Sequence, residues 1–211
     1  MATLSSQQVT QFEQDGYLFL EGALTGEQLR GLREDFEKWK EESRHESAPY
    51  GITFDGRPRF DIEPGHNFDA PALRRIASPI EISDAYLEVM RNNRALDALE
   101  DILGPNIKFE NAKINSKLPG AATEVKFHQD FLFEAHTNDD MVTVLFFLDD
   151  VTQENGPLEV IPGTHRGPLY EHWHDGVFTG TVSEEVAATV KPQAIACYGP
   201  AGSACLMHTR V

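Results

Sequence analysis

The sequence contains few of the residues that stabilise small secreted domains or bind nucleic acids. Its two cysteines, Cys197 and Cys205, are too few for a disulfide framework and lack the close pairing of a zinc ribbon. We therefore interpret both as reduced, mostly buried thiols. Lys and Arg total 18 against 34 Asp and Glu, which gives a formal net charge of -16. Such an acidic chain is repelled by phosphate backbones and anionic lipids, so neither nucleic acid nor membrane is expected as a partner.

Long hydrophobic segments are also lacking. The longest apolar runs, such as Val142–Leu148, are far shorter than the roughly 18 residues that indicate a membrane span. The N-terminus has neither the basic region nor the apolar region of a secretory signal. We therefore expect a soluble, cytoplasmic protein. The 211 residues, 40% of them hydrophobic, are enough for one domain with a sizeable core.

Helix signals are concentrated in the first half of the chain. Ser5 and Gln8 fit the capping-box pattern, in which a hydroxyl and a Gln side chain satisfy the free amides of a first helical turn, and Thr25 and Gln28 repeat it. Helices are therefore predicted after both caps and over 83–91 and 94–103. Residues 43–82 have several Gly and Pro and no sustained period, which predicts a long, partly ordered segment with lid character.

Strand signals follow in the second half of the chain. Short apolar segments are separated by Gly and Pro, and they predict strands at 107–116, 125–131, 141–148, 158–161 and 204–211, in addition to 17–20. Helices followed by short strands indicate an α+β protein whose catalytic half is a β-sandwich or barrel. We expect a single domain over 1–211, with a mainly helical flank and lid segment at 1–105 and a β core at 106–211.

The most informative residues are His128 and Asp130. In a strand, positions i and i+2 project from the same face, so this imidazole and this carboxylate are expected to share one metal ion. Two His and one carboxylate on one face of an octahedral Fe(II) leave three positions open, which suits non-haem oxygenases. The tripeptide therefore predicts two of the three ligands of such a site.

A second motif follows the His-x-Asp segment, at Asn155–Arg166, and reads Asn-Gly-Pro-Leu-Glu-Val-Ile-Pro-Gly-Thr-His-Arg. Together with Phe12-x-x-x-Gly16-Tyr17 near the N-terminus, these motifs resemble the phytanoyl-CoA dioxygenase family of Fe(II)- and 2-oxoglutarate-dependent oxygenases. The resemblance extends over nearly the whole chain.

The resemblance implies a double-stranded β-helix, a cupin-type jelly roll with flanking N-terminal helices. It also implies that His128 and Asp130 are iron ligands and that 2-oxoglutarate is the cosubstrate. The segment Lys113–Gly120 is similar to the family strand whose polar residues reach the 2-oxoglutarate carboxylates. Lys117 is the first choice for this role and Asn115 the second.

Other side chains near these motifs have weaker functional interpretations. Phe131, Phe133 and His136 follow the metal segment directly and are candidates for the wall of the substrate pocket, although aromatic residues there are more often part of a core. In members of the family the segment containing His165 and Arg166 is largely a structural turn, so His165 is not counted as a ligand.

The last segment, Gly202–Val211, matches the family pattern up to its first His, which is His208. In that pattern the iron ligand is a second His five residues later and is followed by an Arg that binds 2-oxoglutarate. Both positions fall past Val211, so we expect that this sequence is part of a longer protein. An unbroken strand places His208 and that later position on opposite faces, which leaves His208 only as an alternative third ligand.

We therefore predict an Fe(II)- and 2-oxoglutarate-dependent dioxygenase that hydroxylates a small-molecule metabolite and releases succinate and CO2. The alternative is a non-catalytic, cupin-like protein that binds a small molecule. A metal-dependent isomerase on the same barrel is a second enzymatic alternative. The sequence leaves the substrate and the oligomeric state open.

Overall fold

The structure is a computed structural model that describes residues 2–118, 124–134 and 136–211. Its elements in chain order are α1 (Ser6–Asp15), β1 (Tyr17–Leu20), α2 (Gly26–Ser43), β2 (Tyr50–Ile52), β3 (Pro58–Ile62), β4 (Leu73–Ala77), α3 (Asp84–Arg91), α4 (Arg94–Leu103), β5 (Lys113–Asn115), β6 (Val142–Phe146), β7 (Leu158–Val160), β8 (Trp173–His174), β9 (Val177–Phe178), α5 (Glu184–Val190), β10 (Ile195–Cys197) and β11 (Ala204–His208). Single 3₁₀ turns lie at Pro79–Glu81, Asp130–Leu132, Thr164–Arg166 and Lys191–Gln193.

The first two helices begin where the capping boxes predicted. The Ser5 hydroxyl accepts from the Gln8 amide at 3.3 Å, and the Gln8 side chain accepts from the Ser5 amide at 2.9 Å. The same reciprocal pair joins Thr25 and Gln28 at the start of α2. These bonds satisfy two of the amides that a helix start leaves without an intrahelical partner.

The chain divides into two compact units, each assembled from separate stretches of sequence. The first unit consists of Met1–Ala23, Arg94–Ile107 and Glu124–Val211, and the second consists of Leu24–Asn93 and Lys108–Thr123. Our prediction of one oxygenase domain over 1–211 stays a prediction.

The first unit contains an antiparallel sheet in the order β1-β11-β6 and a second, two-stranded sheet of β7 and β10. One face of the larger sheet packs on α1 and α4 through Leu18, Leu206, Phe12 and Leu99. The opposite face carries Cys205 and contributes to the cluster that also contains residues of β7 and β10. The two clusters show that alternate residues of β11 project to opposite faces, as the sequence pattern predicted.

The second unit contains a four-stranded antiparallel sheet in the order β2-β3-β4-β5, together with α2 and α3. Its aromatic core brings Trp39 of α2 within 6.2 Å of Phe60 and 5.5 Å of Tyr86, measured between ring centroids. The segment 43–82, which we predicted to be only partly ordered, supplies three strands of this sheet. That prediction was wrong because each strand has only three to five residues, too few to show a period.

The strand predictions in the second half are partly confirmed. β6, β7 and β11 lie within the predicted segments, whereas the strand predicted at 107–116 is reduced to Lys113–Asn115. The strand predicted at 125–131 is absent, and a loop that leads into the 3₁₀ turn at Asp130–Leu132 replaces it. The hairpin of β8 and β9, the helix α5 and the strand β10 were not predicted. Residues 119 and 120, the end of the segment that is similar to the family strand, lie outside the described residues.

Both cysteines are buried free thiols, as expected, and their sulfur atoms lie 3.8 Å apart. The hydrogen bond to Cys197, together with burial, raises the pKa of the Cys205 thiol. In the part of the chain that the structure describes, no helix is long and apolar enough to cross a membrane.

Candidate metal centre

His128 and Asp130 converge in the first unit, although they do not lie on a strand. The Nε2 atom of His128 is 3.1 Å from the Oδ1 atom of Asp130. Asp130 begins the 3₁₀ turn that follows His128 in the chain, so a turn and not the pleat of a strand brings the two side chains together. The two side chains thus lie close together as predicted, but a turn and not a strand brings them together, and their sharing of a metal ion stays a prediction.

Hydrogen bonds orient both side chains toward one point. The Nδ1 atom of His128 lies 2.7 Å from the Lys126 carbonyl oxygen. Because a carbonyl only accepts, Nδ1 carries a proton, and Nε2 is the ring nitrogen that faces Asp130. The Thr143 hydroxyl donates to Oδ2 of Asp130 at 2.8 Å, which leaves Oδ1 facing His128.

This arrangement fits a first-row metal ion. A neutral Nε2 and a carboxylate oxygen both present lone pairs, so they approach within 3.1 Å favourably only when a cation or a proton lies with them. Adjacent ligands of an octahedral ion with bonds of about 2.1 Å are separated by about 3.0 Å, close to the separation observed here. Within the described ranges, no group of three or more His, Cys, Asp or Glu side chains is arranged to hold a metal. The described residues thus bring two candidate ligands together, and their assignment to a metal ion stays a prediction.

Thr143 is a site residue that the sequence reasoning missed. It pairs with Met207 across β6 and β11, so its side chain lies on the same face of the sheet as Met207. A hydroxyl within the apolar run of β6 was the available signal, because a polar group on an inward face needs a partner.

One of the aromatic residues that follow the metal segment contacts His128. The Phe133 ring lies edge-on to the His128 ring, with centroids 5.7 Å apart, and it also contacts Phe178 at 5.3 Å. Phe131 donates its backbone amide to the Thr209 carbonyl at 2.9 Å, and His136 is exposed. Among the three proposed wall residues, Phe133 is therefore the one whose ring contacts His128.

Asn115 and Lys117 belong to the second unit. Asn115 is the last residue of β5 and pairs with Arg75 of β4, and both Asn115 and Lys117 are exposed. Their assignment to the 2-oxoglutarate carboxylates stays a prediction.

His208 faces away from the residues that hold Asp130. Its neighbour Met207 shares a face with Thr143, so His208 projects from the opposite face of β11. There its ring lies 5.2 Å from the ring of His165, whose Nε2 donates to the Glu13 carbonyl at 3.1 Å. Both histidines thus occupy a structural contact on the helix-covered side of the sheet.

A fall in pH should lower the free energy of unfolding, because His165 and His208 titrate differently in the folded and unfolded chain. Burial lowers the pKa of His165 and of His208 below the usual value, and His165 further lowers the pKa of His208. The unfolded chain therefore takes up protons first, so this stabilisation is complete above about pH 6.5 and declines as the pH falls below it. Each histidine contributes a slope of at most about 1.4 kcal/mol per pH unit.

Urea denaturation at pH 7 and pH 5.5 measures this effect when wild type is compared with His208→Asn, whose side chain does not titrate. We expect the free energy of unfolding of the variant to depend less on pH than that of wild type. Identical pH dependence in the two proteins would contradict the assignment.

Solved structures identify the fold. The structure of EctD from S. alaskensis with bound Fe matches with a TM-score of 0.78 at 22% identity, over 99% of this chain and 69% of that one. The same protein with 2-oxoglutarate and 5-hydroxyectoine matches with a TM-score of 0.73. The chain therefore has the α+β fold of these iron- and 2-oxoglutarate-binding proteins, with a cupin-type jelly roll, and the predicted fold class is confirmed.

The family model of phytanoyl-CoA dioxygenase (PhyH) matches residues 12–211. This chain belongs to that family, as the motifs predicted. It is 30% identical over 211 residues to a probable alpha-ketoglutarate-dependent hypophosphite dioxygenase of Stutzerimonas stutzeri, covering 97% of this chain and 70% of the relative. It is also 30% identical over 164 residues to an L-proline trans-4-hydroxylase of Streptomyces griseoviridis, covering 76% of this chain and 55% of that enzyme.

The predicted enzyme class and the predicted cofactors, Fe(II) and 2-oxoglutarate, are confirmed for the family. The chain spans little more than half the length of the proline hydroxylase.

Proposed function

We propose that the protein is an Fe(II)- and 2-oxoglutarate-dependent dioxygenase that hydroxylates a small-molecule metabolite and releases succinate and CO2. The observation that carries this proposal is the convergence of His128 Nε2 and Asp130 Oδ1 at 3.1 Å in a chain of this family. When bound, iron and 2-oxoglutarate together supply the activation of O2 that oxidises a C–H bond.

Each described residue of the site has a role in this proposal. His128 and Asp130 hold the metal, and Thr143 holds the carboxylate oxygen that faces away from His128. Phe133 offers the substrate an apolar edge beside His128. His208 is not the third ligand, because it lies on the opposite face of β11 from Thr143.

Lys117, and after it Asn115, binds a carboxylate of 2-oxoglutarate in this proposal. Lys117→Ala should weaken the binding of 2-oxoglutarate far more than the binding of the primary substrate. Loss of one charge-assisted hydrogen bond costs about 1.5–3 kcal/mol, or about ten- to a hundred-fold in affinity. The apparent affinity is measured from succinate formation at a series of 2-oxoglutarate concentrations.

Lys108→Ala is the matched control for this variant. Lys108 is an exposed lysine that pairs with Glu110 at 3.0 Å, outside the family motif. Lys108→Ala should leave the affinity for 2-oxoglutarate unchanged. An unchanged affinity in Lys117→Ala as well would assign the role to Asn115 or to another residue.

The proposed function is tested by succinate formation in the full-length protein, supplied with Fe(II), ascorbate, 2-oxoglutarate and a panel of metabolites. The panel contains the compounds that the names of the relatives indicate, namely hypophosphite, L-proline and ectoine, together with acyl-CoA thioesters and further amino acids. We expect one class to raise succinate formation and to gain one oxygen atom by mass spectrometry. Binding of a panel compound without Fe(II)-dependent succinate would instead favour the non-catalytic binding protein.

A further inference from the structure

Gln129, between the two proposed metal ligands, is almost completely buried although its side chain is polar. It is 3% exposed, while His128 and Asp130 on either side remain partly accessible. A buried carboxamide is unfavourable unless its donors and acceptors are satisfied. Its partners therefore indicate why a glutamine is found here.

The carboxamide of Gln129 bonds to two separate parts of the chain. Its nitrogen donates to the Arg210 carbonyl at 2.8 Å and to the Pro168 carbonyl at 3.3 Å. Its oxygen accepts from the Tyr170 amide at 2.9 Å. This pattern needs two donors and one acceptor on the same planar group, which Gln provides and neither Glu nor Met does.

The backbone of Gln129 is held by the same segment, 168–172. Its amide donates to Nε2 of His172 at 3.0 Å, and His172 is 1% exposed. The other ring nitrogen of His172 donates to the Tyr170 carbonyl at 2.9 Å. His172 is thus a neutral imidazole with one accepting and one donating nitrogen, both of which are engaged.

These bonds fix residue 129 at both its backbone and its side chain. Because no strand ladder holds this segment, the directions of the two flanking side chains depend on how residue 129 is anchored. We infer that Gln129 is the positioning residue of the metal site, and that its anchoring to 168–172 and Arg210 sets the approach of His128 and Asp130. This inference rests on the proposed function, since it assumes that these two side chains bind the metal.

The test is a Co(II) titration of the full-length protein, followed by the visible absorption of the bound ion, with thermal unfolding measured in parallel. Gln129→Met keeps the length of the side chain and removes its hydrogen bonds. We expect about a 10- to 100-fold loss of Co(II) affinity, the range typical for removal of a residue that supports metal ligands. We also expect a changed absorption spectrum at saturating Co(II), because the two ligands are no longer held in one geometry.

Asn155→Leu is the matched control. The Asn155 side chain also makes two hydrogen bonds to the backbone, accepting from Thr152 at 2.8 Å and donating to Asp150 at 2.7 Å, in the turn between β6 and β7. Its loss should lower the unfolding temperature and leave both the Co(II) affinity and the spectrum unchanged. A general effect of weakened folding would appear in both variants, whereas a positioning effect appears in Gln129→Met alone.

A second variant removes the partner of the Gln129 backbone amide. His172→Phe removes the acceptor for the Gln129 amide while keeping a buried ring, and it should also weaken Co(II) binding and change the spectrum. Wild-type affinity and spectrum in both variants would overturn the inference. Failure of Gln129→Met to fold would also overturn the inference, because the inferred role of Gln129 is to position one loop and not to stabilise the core.

The failure of the inference is distinguishable from failure of the proposed function. If wild type and Asp130→Ala bind Co(II) equally, the metal assignment itself is wrong. If Asp130→Ala loses Co(II) while Gln129→Met and His172→Phe retain it, only the positioning role is wrong.

Discussion

Asp130→Ala is expected to abolish iron binding and Fe(II)-dependent succinate formation in the full-length protein. A neutral imidazole alone holds a labile ferrous ion poorly, and the variant removes the Asp130 carboxylate, whose Oδ1 lies 3.1 Å from His128 Nε2. Because a ligand itself is removed, iron affinity should fall by more than the about 100-fold loss that follows removal of a residue that supports a ligand. Iron content measured by metal analysis and succinate yield measured by chromatography together report the result.

Asp140→Asn is the control for this change of charge. Asp140 is an exposed carboxylate nearby in sequence and accepts from the Asn138 side chain at 3.0 Å. This variant should keep wild-type iron content and activity. Full iron content in Asp130→Ala would show that the metal lies elsewhere.

Gly16→Ala is expected to destabilise the fold by about 2–5 kcal/mol, the sum of two costs. Gly16 ends α1 with φ 78, a left-handed conformation in which a side chain is unfavourable, and its amide donates to the Phe12 carbonyl at 2.8 Å. An added Cβ would also lie 2.3 Å from Nδ1 of the buried His165 ring. The absence of a side chain at Gly16 thus lets the N-terminal family motif contact His165 of the second motif, which lies far away in the sequence.

The free energy of unfolding from urea titration measures this effect, and Gly26→Ala is the control. Gly26 is the first residue of α2, and an added Cβ there meets nothing within 4 Å. We expect Gly26→Ala to change the stability by less than about 1 kcal/mol, in the stabilising direction. Equal stability of the two variants would mean that neither backbone strain nor the His165 contact acts at Gly16.

The elements that local chemistry specifies were predictable from the sequence. The caps at Ser5 and Thr25 each depend on residues three positions apart, and they mark the observed helix starts. The alternation of β11 is equally local, and it correctly separates His208 from Met207. These features need no knowledge of distant contacts.

The structure around the metal pair was not predictable in the same way. Local sequence indicates no role for Gln129, because its partners lie about forty residues away at 168–172 and farther still at Arg210. Those long-range bonds replace the strand that local alternation predicted at 125–131. The i, i+2 spacing predicted that His128 and Asp130 come together, and the family resemblance implied that they bind iron, while the turn that brings them together depends on tertiary contacts.

Anomalous diffraction at the iron absorption edge tests the metal assignment most directly. Crystals of the full-length protein are grown without oxygen in the presence of Fe(II) and 2-oxoglutarate, and data are collected above and below the edge. We expect one peak at bonding distance, about 2.1 Å, from both His128 Nε2 and Asp130 Oδ1. A peak beside His165 and His208, or no peak at His128, would contradict the proposed metal centre.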